Sequence, residues 1–138
     1  MNNVKVSSTI TDEQYITSNK IRQHHLIVDE PIEKGGKDTA PTPTELLGVA
    51  LASCTTITLQ MYMGFKEIPF ENINVETDFE VKTTESILFK RSITIEGEFD
   101  EKQQTRLLKV ANSCPVHKIL EKGHQVETKI SIKKKNAL

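Results

Sequence analysis

Apolar and polar residues alternate along several stretches of the chain, most regularly in its second half. Between residues 72 and 82 the odd positions are apolar or Thr and the even positions are polar, a period of two that predicts a half-buried strand. A turn at 83–86 and an alternating run over 88–97 predict an antiparallel partner strand. The same alternation over 126–132 predicts one last strand near the C-terminus.

The first 28 residues predict a β-hairpin or meander. Val4, Val6, Ser8 and Ile10 occupy alternate positions, so they would share one face of a short strand. We interpret 14–28 as a single second strand, interrupted by polar residues at 17–20 and closed by an apolar run. Residues 29–42 contain two Pro and two Gly residues, which predict a long loop.

The stretch 43–64 predicts a long helix that is apolar on nearly every side. Thr42 or Thr44 can cap its start, Pro43 suits the first turn and Gly64 suits its end. A helix that is apolar all round must be buried. Since one small sheet cannot cover it, we predict an intimate homodimer with a large apolar interface.

Two shorter helices follow the second pair of strands. Asp100 can cap a helix over about 100–112, and a short helix over 116–120 comes after a Cys-Pro pair. The order β-β-α-β-β-α-α-β, with its antiparallel hairpins, predicts an α+β class and a single domain over 1–138. Its parts are an N-terminal hairpin at about 1–28, the loop 29–42, the central helix at about 43–64 and a C-terminal part over 72–134.

Composition excludes several kinds of partner. The chain has 138 residues, with 18 Lys and Arg against 19 Asp and Glu, and a net charge of -1. This balance provides no positive patch for nucleic acid or for an anionic membrane. No apolar run approaches the roughly 20 residues of a membrane-spanning helix, and the N-terminus has no signal-peptide core. We therefore expect a cytoplasmic protein with neither nucleic acid nor membrane as partner.

The two cysteines, Cys54 and Cys114, are the candidate chemistry. Such a pair can be inert core residues, metal ligands or a redox couple. Cys54 lies about ten residues into the predicted helix. That is beyond the reach of the helix dipole, so its thiolate needs a nearby cation, most readily an Arg. Cys114 precedes Pro115 at a predicted helix start, where backbone N–H groups favour an anion. By local physics Cys114 is therefore the more easily ionised thiol.

Six segments together carry a resemblance to a known family. They are DEP at 29–31, GGKDT at 35–39, PTPTELL at 41–47, ALASCT at 50–55, MY at 61–62 and CPVHKIL at 114–120. Their ordered combination resembles the OsmC/Ohr family of thiol-dependent organic hydroperoxide reductases, from about residue 24 to the C-terminus. The resemblance implies an OsmC-like fold, with antiparallel sheets around a long buried central helix, built as an intertwined homodimer.

The resemblance also implies a function. Cys54 acts as the peroxidatic thiolate, which attacks an organic hydroperoxide, releases an alcohol and becomes a sulfenic acid. Cys114 then resolves it to a disulfide, and a dithiol reductant of the lipoyl or thioredoxin type restores both thiols. The active sites lie at the subunit interface, and neither a metal nor a cofactor takes part.

The resemblance further implies a Glu ten residues before the first Cys, which orients an Arg from the N-terminal hairpin. Here Thr44 occupies that position and Glu45 comes one residue late. Nine residues correspond to about 900° of helix rotation, so Glu45 is about half a turn out of phase with Cys54. We do not expect Glu45 to reach Cys54 in its own subunit. Arg22 is our first candidate for the Arg, as the only arginine of the N-terminal hairpin, and Arg91 is the second.

Two histidines are possible neighbours of the site. His24 and His25 point to opposite faces if they lie in a strand, so at most one of them faces a cleft. His117 lies one turn after Cys114 and can influence that thiol or bind a substrate anion. Two alternatives to a peroxidase stay open: a non-enzymatic redox-responsive or small-ligand-binding OsmC-like protein, and a metal site made by the two cysteines and a His.

Overall fold

The computed structural model describes residues 3–134. Its strands and helices are β1 Val6–Ile10, β2 Thr17–Ile21, β3 His24–Val28, α1 Pro43–Phe65, β4 Asn72–Thr83, β5 Ser86–Glu96, α2 Glu101–Asn112 and α3 Pro115–Glu121. β1, β2 and β3 form one antiparallel sheet, and β4 and β5 form a second. The predicted α+β class with a long central helix is confirmed. Both ends of the single domain predicted over 1–138 lie outside the described residues.

The N-terminal sheet differs from the prediction of one strand over 14–28. The chain reverses at Arg22, which has a φ of 56°, and Ile21 pairs with His24 across the turn. The polar residues at 17–20, interpreted above as an interruption, belong to β2. The prediction was wrong because β2 is never fully buried within its own chain, and a polar strand shows no alternation of apolar residues.

A capping box starts α1 in the predicted place. The Thr42 hydroxyl accepts a hydrogen bond from the Glu45 N–H at 3.2 Å, and the Glu45 carboxylate accepts one from the Thr42 N–H at 2.8 Å. Pro43 occupies the first turn, where its missing N–H is not needed. Buried residues recur every three or four positions along α1, on a stripe that faces β4, α2 and α3: Gly48, Leu51, Thr55, Leu59 and Met63.

The apolar core lies where this stripe meets the second sheet and α2. Leu59 and Met63 pack with Leu107 and Ala111. Partly buried apolar side chains surround these four: Tyr62, Ile68, Phe70, Ile73, Ile93, Ile95, Phe99 and Val110. β4 and β5 keep the predicted alternation, with the odd-numbered residues turned inwards over most of their length. The second hairpin and α2 therefore position the inner face of α1.

The other face of α1 remains open in the single chain. Its outward residues are large and apolar, with exposed fractions between 44% and 81%: Leu47, Val49, Ile57, Met61 and Phe65. Contrary to the expectation above, α1 is long and apolar enough to cross a membrane by length and composition. Its contacts with β4, α2 and α3 are those of a core helix that lacks cover on one side. A second subunit, as predicted from the sequence, would supply that cover.

The strand predicted over 126–132 is not formed. Residues 123–134 pair with neither sheet in the part of the chain that the structure describes. Val126, Ile130 and Ile132 are each at least 85% exposed. An alternating sequence becomes a strand only where a neighbouring edge satisfies its backbone N–H and C=O groups, and here no such edge is paired with it.

A buried carboxylate organises the loop that leads into α1. Asp29 accepts hydrogen bonds from the N–H groups of Glu30 at 2.7 Å, Lys37 at 3.3 Å and Thr39 at 3.0 Å, and from the Thr39 hydroxyl at 2.7 Å. These donors, the Thr39 N–H first among them, outweigh the opposing effect of burial and lower the pKa of Asp29 from 3.8 to about 2. The loop therefore folds around a carboxylate that is charged at neutral pH.

Acid should weaken the fold through Asp29. Because its folded-state pKa is depressed, the Asp29 carboxylate stabilises the native state above pH 3.8, and this contribution disappears as the pH falls from 3.8 towards about 2. Asp29→Asn should therefore lower the urea midpoint at neutral pH, and the midpoint of this variant should fall less steeply over the acid interval. Equal slopes for the variant and the wild type in that interval would contradict the prediction.

Gly36 closes the same loop at a position that admits no side chain. A Cβ there would overlap the carbonyl oxygen of Glu30 and approach the Asp29 carboxylate to 2.8 Å. Gly36→Ala should therefore lower the free energy of unfolding by about 1–3 kcal/mol, the usual range for overpacking. Gly123→Ala is the control, since its Cβ would have no other atom within 4 Å, and it should stay within about 0.5 kcal/mol of wild type. Chemical denaturation measures both, and equal stabilities would refute the steric explanation.

Candidate active site

Cys114 begins α3, as the Cys-Pro pair predicts. Its backbone stands at the N-cap of α3 directly before Pro115, and its Sγ accepts a hydrogen bond from the His117 N–H at 3.3 Å. The side chain is fully buried. Because the first N–H groups of a helix lack partners within the helix, a sulfur at this position meets donors that stabilise negative charge.

Two neighbours connect Cys114 to the centre of the fold. The hydroxyl of Thr55, on the buried stripe of α1, lies 3.6 Å from the Cys114 Sγ. Nη1 of Arg91, on β5, donates a hydrogen bond to the same hydroxyl at 3.0 Å. We call these three residues the Arg91–Thr55–Cys114 cluster. They place a guanidinium one hydroxyl group away from a buried thiol.

Arg91 also holds the end of α2. Its Nη1 donates to the Ala111 carbonyl at 3.4 Å, and its Nη2 donates to Asn112 Oδ1 at 2.8 Å. Within residues 3–134 no carboxylate lies within ion-pair distance of Arg91. Arg91, the second arginine candidate from the sequence, is thus a half-buried positive charge whose partners in this region are all neutral groups.

Cys54 is the more accessible thiol. It is partly exposed, whereas Cys114 is fully buried, and both are free thiols. Consecutive helix residues are turned by about 100°, so Cys54 lies off the buried stripe that contains Thr55. Leu47, Cys54 and Met61 are seven residues apart and therefore share one side of α1, which is the open apolar face. A molecule from solvent reaches Cys54 more readily than Cys114.

The other candidates from the sequence lie in the N-terminal sheet and at the start of α1. Arg22 forms the exposed turn between β2 and β3, and His24 is exposed at the beginning of β3. The Glu45 carboxylate is bound to the Thr42 N–H in the capping box, and Thr44 is half-buried in the first turn of α1. Within the single chain, Arg91 rather than Arg22 contacts a residue that lies against a cysteine.

His117 contacts Cys114 through its backbone. Its imidazole Nε2 lies 3.0 Å from Glu121 Oε1, one turn further along α3. Together with Arg91, His117 borders an open cavity of about 420 Å³, whose other lining residues are mostly apolar: Leu51, Ile87, Leu88, Phe89, Leu120 and Glu121. The imidazole thus shapes a cavity beside the cluster, while its carboxylate partner occupies Nε2.

The sequence analysis missed Thr55, a residue of this site, and Asn112, a structural partner of Arg91 outside the cluster. Thr55 entered it only as the last residue of the segment 50–55, although its spacing of four from Leu51 and Leu59 places it on the buried stripe. A polar residue on an otherwise apolar stripe was the available signal, because such a group requires a hydrogen-bond partner. No sequence pattern predicts the contact of Asn112 with Arg91, because the two residues lie on different elements and meet only in the tertiary structure.

The metal alternative finds no geometric support. Among residues 3–134, no group of three or more His, Cys, Asp or Glu side chains lies close enough to hold a metal ion. The side chains that approach Cys114 in this region are a hydroxyl and, beyond it, a guanidinium. A guanidinium repels a cation and is not a zinc ligand.

Comparison with known proteins identifies the fold family. A family model described as OsmC-like protein matches residues 35–129, a region that contains both cysteines, Thr55 and Arg91. The chain belongs to the OsmC-like family. The match confirms the resemblance inferred from the six sequence segments.

Solved structures agree with this assignment. A protein from Psychrobacter arcticus named for the osmotic stress and detoxification response is 28% identical, with a TM-score of 0.70 and coverage of 86% of this chain and 87% of that one. An organic hydroperoxide resistance protein OsmC from Legionella pneumophila is 16% identical, with a TM-score of 0.64 and coverage of 87% and 90%. One from Elizabethkingia anophelis is 17% identical, with a TM-score of 0.69 and coverage of 86% and 87%. The last two show the likeness of fold alone. No curated protein sequence matches the chain.

Proposed function

We propose that this OsmC-like protein is a cytoplasmic, homodimeric thiol peroxidase that reduces organic hydroperoxides to alcohols. The observation that carries the proposal is the contrast between its two thiols. Cys54 is accessible on an apolar face, whereas Cys114 is buried at a helix N-terminus and contacts Thr55, the residue that follows Cys54. An accessible thiol and a buried thiol on neighbouring elements suit an oxidation in two steps, in which the first thiol reacts with peroxide and the second reacts with the oxidised first thiol. The hydroperoxide resistance proteins of the same fold support this choice of substrate.

The first step takes place at Cys54. Its thiolate attacks the distal oxygen of a hydroperoxide, the O–O bond breaks, and the alkoxide leaves as an alcohol after taking up a proton. Cys54 is oxidised by two electrons to a sulfenic acid. The open face around Cys54 carries Leu47, Ile57 and Met61, so an alkyl peroxide gains more from contact with it than hydrogen peroxide does.

The second step consumes the sulfenic acid. The Cys114 thiolate attacks the Cys54 sulfur, the S–O bond breaks, and hydroxide leaves as water with one proton. A disulfide between Cys54 and Cys114 results. A dithiol reductant of the lipoyl or thioredoxin type then restores both thiols by exchange, with no metal or cofactor. Burial keeps Cys114 from reacting with peroxide itself, which is why we assign it the resolving role.

The homodimer completes the site in this proposal. A second copy packed on the open face of α1 narrows the approach to Cys54 and limits the water around the reaction. An intertwined dimer also brings the N-terminal sheet of the partner subunit towards that face. We therefore retain Arg22 as the candidate cation for the Cys54 thiolate, delivered across the interface, with His24 beside it.

One observation favours the alternative of a non-enzymatic redox-responsive or small-ligand-binding protein. The Glu45 carboxylate caps its own helix, and Thr44 stands where the family resemblance implies a Glu. An Arg delivered to Cys54 would then lack its orienting carboxylate. Oxidation of the two thiols without catalytic turnover is the outcome that would favour this alternative.

Turnover of cumene hydroperoxide with dihydrolipoamide tests the proposal. Cys54→Ser should abolish both peroxide consumption and trapping of a sulfenic acid, because the attacking sulfur is gone. Cys114→Ser should consume one equivalent of peroxide per subunit and then stop, because the sulfenic acid has no resolving thiol. Single-event oxidation in the Cys54→Ser variant would reverse the two roles, and a wild type without turnover would leave the non-enzymatic alternative.

Sedimentation tests the homodimer. The wild type should remain dimeric at micromolar concentration. Met61→Glu should raise the dissociation constant of the dimer at least tenfold, a loss of more than about 1 kcal/mol, because the new carboxylate would be buried in an apolar interface. Leu108→Glu is the matched control, since Leu108 is similarly exposed but lies on α2. A stable folded monomer in the wild type would contradict the prediction.

A further inference from the structure

We propose that Arg91 and Thr55 are positioning residues for the second step: through the Thr55 hydroxyl, Arg91 favours the Cys114 thiolate that attacks oxidised Cys54. This inference rests on the proposed function. It concerns a different arginine from the one expected beside Cys54, and it assigns a role to the Thr55 hydroxyl, which the sequence analysis gave none.

The hydrogen bonds of Thr55 fix where each hydrogen lies when Cys114 is a neutral thiol. A hydroxyl has one hydrogen to donate and two lone pairs to accept with. The Thr55 hydroxyl donates to the Leu51 carbonyl at 2.7 Å and accepts from Arg91 Nη1 at 3.0 Å. The contact with the Cys114 Sγ at 3.6 Å allows either atom to donate; with the hydroxyl hydrogen on the Leu51 carbonyl, we assign the donor role there to the thiol hydrogen.

The same atoms also serve the thiolate. When Cys114 loses its hydrogen, the Thr55 hydroxyl hydrogen turns from the Leu51 carbonyl to the sulfur, with no movement of a heavy atom. The Leu51 carbonyl still accepts its helical hydrogen bond from the N–H four residues later, so it is not left without a partner. The thiolate then accepts from the Thr55 hydroxyl and from the His117 N–H.

Arg91 supplies the charge that makes this exchange favourable. A guanidinium stays protonated at every accessible pH, and Arg91 has no carboxylate partner in the described part of the chain. His117, whose N–H donates to the Cys114 sulfur, has its imidazole paired with Glu121, and Cys54 is the residue before Thr55. Arg91 is therefore the permanent charge closest to the hydroxyl that contacts the sulfur.

Arg91 also has a structural role, which must be separated from this one. Its hydrogen bonds to the Ala111 carbonyl and to Asn112 tie α2 to β5 just before Cys114. Asn112→Ala removes the bond to Nη2 and leaves the contact between Nη1 and Thr55. Thr55→Val removes only the hydroxyl from a residue of the same shape, and Thr55→Ser keeps the hydroxyl.

Single-turnover kinetics with one equivalent of cumene hydroperoxide test the proposal, with sulfenic acid formation and disulfide formation followed separately over a range of pH. In Thr55→Val and Arg91→Met, disulfide formation near neutral pH should slow about tenfold, and its pH profile should move to higher pH. Sulfenic acid formation should change less than about twofold, since Cys54 keeps its own surroundings. Thr55→Ser should restore most of the rate, and Asn112→Ala should match the wild-type pH profile even if it unfolds more easily.

Two results would overturn the proposal. One is that Thr55→Val forms the disulfide at the wild-type rate and with the wild-type pH profile. The other is an equal slowing of disulfide formation in Arg91→Met and Asn112→Ala, which would show that Arg91 acts only by holding α2 to β5. A wild type that forms no sulfenic acid refutes the proposed function instead. In that case the ultraviolet absorbance of the Cys114 thiolate, titrated in a Cys54→Ser background, still tests whether Arg91 and Thr55 favour that thiolate. Thr55→Val should move that titration to higher pH, and an unchanged curve would refute the inference.

Discussion

The fold depends on covering α1, a helix that is apolar on almost every side. Its own chain covers one stripe with β4, α2 and α3 and leaves the opposite face open. Full burial of a large aliphatic or aromatic side chain contributes about 1.5–3 kcal/mol, so five such residues on the open face represent an energy comparable to the stability of a whole domain. The open face of α1 therefore leaves much apolar surface uncovered in the single chain, and the partly exposed Cys54 lies on that face.

The two faces of α1 also divide the chemistry. Thr55 is the polar residue on the buried stripe, and it is fully satisfied by Leu51, Arg91 and Cys114. No buried side-chain nitrogen or oxygen among residues 3–134 lacks a hydrogen-bond partner. The neighbouring Cys54 faces the open side. One step along the helix thus separates a partly exposed thiol from a hydroxyl that contacts the buried thiol, which explains how a small domain supports two sulfur environments.

Sequence patterns predicted the parts of the fold that bury an amphipathic face within one chain. The alternation over 72–82 gave β4, the apolar run gave α1 with its Thr42 cap, and the Cys-Pro pair gave the start of α3. Patterns failed where a face has no cover in the single chain. β2 is polar, so its residues are predicted to interrupt a strand rather than to form one. Residues 126–132 alternate as a strand does but pair with neither sheet. The cysteines were found by residue type, whereas Arg91 and Thr55 are joined only by tertiary packing, which local spacing does not encode.

In the proposed function Cys54 and Cys114 form one redox couple, with peroxide entering at Cys54. Peptide mapping by mass spectrometry, after one equivalent of cumene hydroperoxide per subunit and rapid alkylation of remaining thiols, tests it most directly. We expect one cross-linked peptide that contains both cysteines, with the loss of two hydrogens, and a transient sulfenic acid on Cys54 alone. A Cys54 that proceeds to sulfinic acid while Cys114 stays fully alkylatable after unfolding would contradict it, because the two thiols would then not communicate.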